Sequence, residues 1–318
     1  MITRATCVVL LLSLTSAFKI TGPLTVHFQN WLASNGYSAD EFARIDQATQ
    51  GSYGGKVSDD QKVTKTPVIF IHGNSDAALR TSDTLAGWDN SIDFFQREGY
   101  TAAELYATSY GDTNALNAST RTHSCATVTR LRRFIEAVKA YTGASMVSIV
   151  THSLGVTLGR KAVKGGKIAA PDGNCNVGTR LAYVDVFVGL SGGNYGLCNC
   201  EGVGAAAGTC NQQNGLWPGD SCGLNVLDCG LAILQWPCDG PKYSAFLTDL
   251  NTDIEPEGKR IVSGWSTVDD VVMYGDQVWG RPTSLIPRST DQKIYSTYSH
   301  METKEKTVDD QYKWVNHA

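Results

Sequence analysis

Apolar residues along this chain fall into two rhythms. The unbroken run Val68-Ile69-Phe70-Ile71 after Pro67, and Met146-Val147 with Ile149-Val150, have the length expected of strands buried on both faces. Further strands are expected over Ala102 to Tyr110 and near Tyr183 to Leu190, Arg260 to Trp265 and Lys293 to Tyr298. Between them the spacing turns helical. Trp88, Ile92 and Phe95 lead to Gly99, and Val128, Leu131, Ile135 and Val138 form an amphipathic stripe ended by Gly143. Lys304 to Val315 reads as a closing helix and Leu24 to Leu32 as a short opening one. Ser38-Ala39-Asp40-Glu41 reads as a capping box starting another helix, and Gly51 to Lys65 as a linker. Arg130, Arg132 and Arg133 lie largely off the apolar stripe and are expected on a solvated face. Strands alternating with helices predict an α/β fold, a mostly parallel sheet flanked by helices.

Ser191 to Gly240 breaks this pattern. It is rich in glycine and asparagine and holds Cys198, Cys200, Cys210, Cys222, Cys229 and Cys238. Its apolar residues, among them Leu216, Trp217, Leu231, Ile233, Leu234 and Trp236, exceed what a solvated loop needs. We expect an insertion over the C-terminal edge of the sheet, where open α/β folds place their ligands. Two forms stay open for 191–240: a disulfide-stapled cap lining an acyl-binding surface, or a surface decoration with a satellite core.

Compartment follows from the N-terminus and the cysteines. Met1 to Ala17 carries Arg4, the apolar core Cys7-Val8-Val9-Leu10-Leu11-Leu12 and a small-residue end, Thr15-Ser16-Ala17, the pattern of a cleaved secretory signal. Residues 18–318 are then expected to form a single secreted domain. No later segment reaches the roughly 18 uninterrupted apolar residues of a membrane span. Outside the signal lie Cys125, Cys175 and the cysteines of the insertion, an even number that predicts four disulfides of unassigned connectivity. A zinc site at Cys198-x-Cys200 is the alternative, and no Cys/His partner motif accompanies it. Asn117-Ala118-Ser119 is a glycosylation sequon in a polar loop. With 42% hydrophobic residues, 18% charged residues and a net charge of -4, the composition suggests neither disorder nor a nucleic-acid partner.

Thr151-His152-Ser153-Leu154-Gly155 joins the run ending at Val150 to a helix-patterned stretch ending at Gly165-Gly166. A strand, a tight turn and a helix with serine at the apex is the nucleophile arrangement of an α/β-hydrolase. Thr151 departs from the usual glycine, and the plainer reading makes Ser153 an ordinary N-cap. A serine nucleophile needs a base and a carboxylate, in that fold in the order Ser, Asp or Glu, His. Only His300 and His317 follow Ser153, and His317 adjoins the C-terminus, so His300 is the candidate base. Trp265-Ser266-Thr267-Val268-Asp269-Asp270 offers Asp269 as the acid, with Asp270 as fallback and turn or cap duty as the alternative for either. The backbone N–H groups of Leu154 and of Asn74, in His72-Gly73-Asn74, are the candidate oxyanion donors. His72 and His152 are expected to be structural.

Taken together, Pro67-Val68-Ile69-Phe70-Ile71-His72-Gly73-Asn74, Val150-Thr151-His152-Ser153-Leu154-Gly155-Val156, Ser266-Thr267-Val268-Asp269 and His300 resemble the class 2 lipases of the α/β-hydrolase superfamily. The resemblance covers Pro67 to about His300. It implies Ser153, Asp269 and His300 as a triad, Asn74 and Leu154 as oxyanion donors, and hydrolysis of acylglycerols or other carboxylic esters through an acyl-enzyme. It implies no metal or organic cofactor, a lipid or other ester substrate, and a lipid–water interface as a candidate partner. Tyr141-Thr142-Gly143 through the elbow also looks like an extracellular polyhydroxyalkanoate depolymerase, which keeps polyesters open. The cysteine-rich insertion departs from minimal lipases, which lack a cap. A catalytically silent hydrolase-like binding protein is the rival from another class, and a peptidase or acyltransferase could use the same triad.

Overall fold

Val68 and Phe70 on one side of a strand, and Ile69 and Ile71 on the other, are all buried, and they join different hydrophobic clusters. Successive side chains of a strand point to opposite faces, so this strand must be covered twice. The computed structural model, which describes residues 20–219, 229 and 241–318, shows how. The central sheet runs β1 (Ser52–Tyr53), β3 (Leu105–Thr108), β2 (Val68–Ile71), β4 (Val147–His152), β7 (Val184–Leu190), β8 (Arg260–Ser266) and β11 (Asp291–Tyr295) from edge to edge. Every pairing is parallel except that of the edge strand β1 with β3.

One face carries α1 (Val26–Ser34), α3 (Cys125–Thr142), α4 (Leu154–Lys164) and α5 (Ala245–Thr252), whose apolar residues share a cluster with Ile69, Ile71, Val147 and Ile149. The other carries α2 (Asp89–Arg97) and α7 (Val308–Val315), packed with Val68, Phe70, Val150, Val188 and Val262. This is the mostly parallel, helix-flanked sheet that the strand and helix rhythm predicts.

Several expectations need correction. Ser38–Asp40 is a single 3₁₀ turn and Glu41 is left-handed at φ 48°, so no α-helix grows from the capping-box sequence. The N-terminal part of the 51–65 linker is edge strand β1, with Gly51 to Gly55 buried. Arg130, Arg132 and Arg133 do not form a solvated face. Arg132 is buried on the carbonyls of Ala162 and Thr179, Arg133 grips Asp40, and Arg130 binds the carbonyl oxygens of Asp40 and Glu41. The closing helix is two, α6 (His300–Glu305) and α7. Helix α5 and the hairpins β5 (Lys167–Ala170) with β6 (Gly173–Asn176) and β9 (Gln277–Val278) with β10 (Arg281–Pro282) are additional.

Among its described residues, the insertion that follows β7 forms 3₁₀ turns at Cys198–Cys200, Gly202–Ala206 and Gly208–Cys210. Disulfides join Cys125 to Cys175, Cys198 to Cys229 and Cys200 to Cys210, so Cys198 and Cys200 are bridged to different partners and are not zinc ligands. Leu216 and Trp217 join the main core, whereas Cys198 and Cys229 form a small cluster with Val278 and Trp279. The expectations for Met1 to Ala17, Cys222, Cys238, Leu231, Ile233, Leu234 and Trp236 lie outside the described residues.

Candidate active site

Ser153 is the single residue between β4 and α4, and the chain turns there in a strained conformation, φ 56° and ψ −131°. Positive φ is costly for a residue with a Cβ and persists where its surroundings enforce it. Here its N–H donates to the carbonyl of Leu190 at the end of β7 (2.8 Å), and α4 starts at the next residue. A Cβ on Gly155 would lie inside contact with the His72 carbonyl oxygen and 2.8 Å from that of Ile71, so only glycine lets helix and strand approach this closely. Leu154 thereby opens the helix, where N–H groups have no intrahelical partner.

The loop after β2 abuts this elbow. A Cβ on Gly73 would stand 2.8 Å from Ser153 Cβ and 3.0 Å from His152 Nδ1. Asn74 follows, its side chain committed elsewhere: Nδ2 donates to the Ala118 carbonyl (2.9 Å) and Oδ1 accepts from Arg121 (2.9 Å). Arg121 also donates to Ser75 Oγ and Asp112. No spacing rule marked Arg121, which lies 47 positions from Asn74. His72 is structural, as expected. Its Nε2 accepts the Tyr110 N–H (3.0 Å), which leaves the proton on Nδ1 for the Gly73 carbonyl (2.7 Å), and the ring stacks on Tyr110. Burial pushes its pKa down to about 4, so it stays neutral.

The structure brings Asp269 and His300 together. Asp269 follows β8, and its Oδ2 accepts from His300 Nδ1 at 2.8 Å, while Oδ1 accepts the N–H groups of Val271 (2.9 Å) and Val272 (2.8 Å). Burial alone would raise this carboxyl, but the His300 hydrogen bond and charge, with the two amides, outweigh it and hold the pKa below its ordinary value. An ionised carboxylate can only accept, so the imidazole proton sits on Nδ1 and Nε2 keeps its lone pair. Asp270 does different work, its Oδ1 accepting the His300 backbone N–H at 2.8 Å. His152 donates from Nε2 to the His300 carbonyl (3.0 Å), tying the residue before Ser153 to the base. Burial first, then the charges of His300 and Lys304, drive the His152 pKa well down, so His152 stays neutral. His317 lies apart, against Asp185.

Parallel strands, a strained serine between strand and helix, and an Asp–His pair after the later strands define an α/β-hydrolase. The lipase (class 2) family matches residues 65–313, and the chain belongs to that family, a family of ester hydrolases. No curated protein matches it. Among solved structures it is similar to a Bacillus licheniformis lipase in mature form, with 11% identity, 83% of this chain and 97% of that one covered, and a TM-score of 0.48. It is also similar to a monoacylglycerol lipase of Paleococcus ferrophilus, at 15% identity, 85% and 98% coverage and 0.45. A third is an α/β-hydrolase enzyme from a Moroccan lagoon-sediment metagenome, at 17%, 80% and 93%, and 0.43.

Proposed function

We propose that this protein is a secreted serine hydrolase that cleaves acylglycerols or related carboxylic esters through an acyl-enzyme. The observation that carries the reading is the 2.8 Å bond from His300 Nδ1 to an Asp269 carboxylate whose other oxygen is fixed by two amides. Ser153 follows β4 and Asp269 follows β8, so the pair and the serine stand at the same, C-terminal edge of the parallel sheet. Ser153 Oγ adds to the ester carbonyl as its proton passes to His300 Nε2, and the Leu154 and Asn74 amides receive the oxyanion. The carbon–oxygen bond to the alcohol breaks, and the departing alkoxide takes the proton back from His300. Water then repeats the sequence on the acyl-serine and releases the acid. Asp269 stays ionised throughout and steadies the imidazolium.

Export is part of the reading, supported by the signal pattern of Met1 to Ala17 and by disulfides that persist in oxidising compartments. Exposed Asn117 is the glycosylation site we assign. The test is hydrolysis of p-nitrophenyl esters from short to long acyl chains by secreted wild type and Ser153→Ala. Activity in the wild type that vanishes in the variant is expected. A folded wild type without activity would overturn the reading in favour of a binding protein.

A further inference from the structure

The loop that carries Asn74 and the helix that carries His300 lie far apart in the chain, and a buried ion pair joins them. Lys304 Nζ donates to Asp76 Oδ2 at 2.5 Å across 228 positions, with both side chains almost fully buried. Asp76 lies two residues past Asn74, and Lys304 stands four past His300, one turn along the same face of α6. The Lys304 ammonium also sits 5.6 Å over the Trp88 ring.

Helix α6 has six residues, too few to hold itself together. Its N-terminal end is fixed by the Ser299 capping box and by Asp269, Asp270 and His152 on His300. Its last turn is fixed to the rest of the site through Lys304. The loop is likewise anchored by Arg121 at Asn74 and Ser75, and toward α6 through Asp76. Resting on the hydrolase reading, we propose that the Asp76–Lys304 pair is a positioning element that sets the oxyanion-donor loop and the His300 helix as one rigid unit.

The test is a double-mutant cycle of Asp76→Asn and Lys304→Gln, read by p-nitrophenyl butyrate kinetics and by hydrogen exchange without substrate. Misplacing a base or donor by an ångström costs about a hundredfold, so each single variant should lose kcat on that scale with KM changed less than about threefold. The neutral double, which removes both charges of the pair, should be no worse than the poorer single yet still well below wild type in kcat, and it decides the case if a single variant does not fold. Protection of both 73–77 and 300–305 should fall together, about tenfold, in either single variant. A folded variant lacking the pair with kcat within about threefold of wild type, or exchange that rises only in the mutated segment, would overturn the proposal. A wild type that hydrolyses no ester defeats the hydrolase reading, and the exchange data still decide whether the pair couples the two segments.

Discussion

Gly155→Ala puts the elbow's geometry to a quantitative test. Judged by helix propensity alone, alanine in α4 should stabilise by up to about 1 kcal/mol. The backbone at Gly155 is ordinary helix, so no left-handed conformation would be lost. The obstacle is steric: the new methyl would lie inside contact with His72 O and 2.8 Å from Ile71 O. Both are main-chain atoms at the end of β2, so neither can turn aside as a side chain could. Relief requires α4 and β2 to separate by roughly an ångström against a packed core, an overpacking cost of about 1–3 kcal/mol that exceeds the propensity gain.

The same displacement moves the Leu154 amide away from the Asn74 loop, because one stands on α4 and the other follows β2. Loss of geometry on that scale costs about a hundredfold in kcat. Denaturant unfolding should therefore show a lower midpoint with an unchanged slope, and ester kinetics a fall in kcat larger than any rise in KM. Gly159→Ala, one turn along the same helix, meets only side-chain atoms, nearest Thr151 Cγ2 at 3.0 Å, and should cost less in both assays. A Gly155→Ala protein as stable and active as wild type would refute the reasoning, since it would mean the two backbones do not limit each other's approach.

Asp269→Asn should lower kcat about 10⁴-fold, some 5 kcal/mol of barrier, by losing the Nδ1 tautomer, whereas Asp270→Asn, which can still accept the His300 N–H, should stay within about tenfold; equal losses in steady-state assays would refute the division of labour. Acid should destabilise the fold: His72 and His123 are buried neutral, with pKa values pushed from 6.5 to about 4 by burial, so the unfolded chain takes up protons across that window that the folded one refuses. Each is worth about 3 kcal/mol, present above pH 6.5 and lost toward pH 4. Asp276, raised to about 8 by burial, partly offsets this and lowers stability as pH rises from 4 to 8. Denaturant midpoints flat from pH 6.5 to 4.5 would contradict the histidine assignment.

The strands were legible because burial on both faces leaves unbroken apolar runs, as in Val68 to Ile71. Ser153 and the Asn74 loop were legible because each follows such a run, whereas His300 lies beyond the exposed, mostly polar strand β11 and was legible only through the chain order serine, acid, histidine. What escaped has a physical pattern. The β5–β6 hairpin has strands of only four residues, of which Ile168 and Ala170 alone are buried in the core, too short a pattern to declare a strand, and Cys125–Cys175 pins it to α3. Arg132 read as surface by its charge, but its guanidinium satisfies two carbonyls in the interior, which no periodicity reports. The Asp76–Lys304 pair joins distant positions, and a single sequence carries no trace of such a contact.

Thr151 shows why the elbow could be read through a mismatch at its first position. A strict motif treats the glycines around the serine as separate requirements, whereas the physical demand is one distance between β4 and α4. Thr151 is fully buried, and its hydroxyl donates to the Val188 carbonyl of β7 at 2.7 Å, so its polar atom is satisfied without opening the turn. Its methyl points at Gly159, where an added Cβ would come within 3.0 Å. The space that glycine usually leaves in the strand is supplied here from the helix. Gly155 cannot be relieved in this way, because what it faces is backbone. The substitution thus falls at the position whose neighbour could compensate, and the glycine that remains is the one whose neighbours could not.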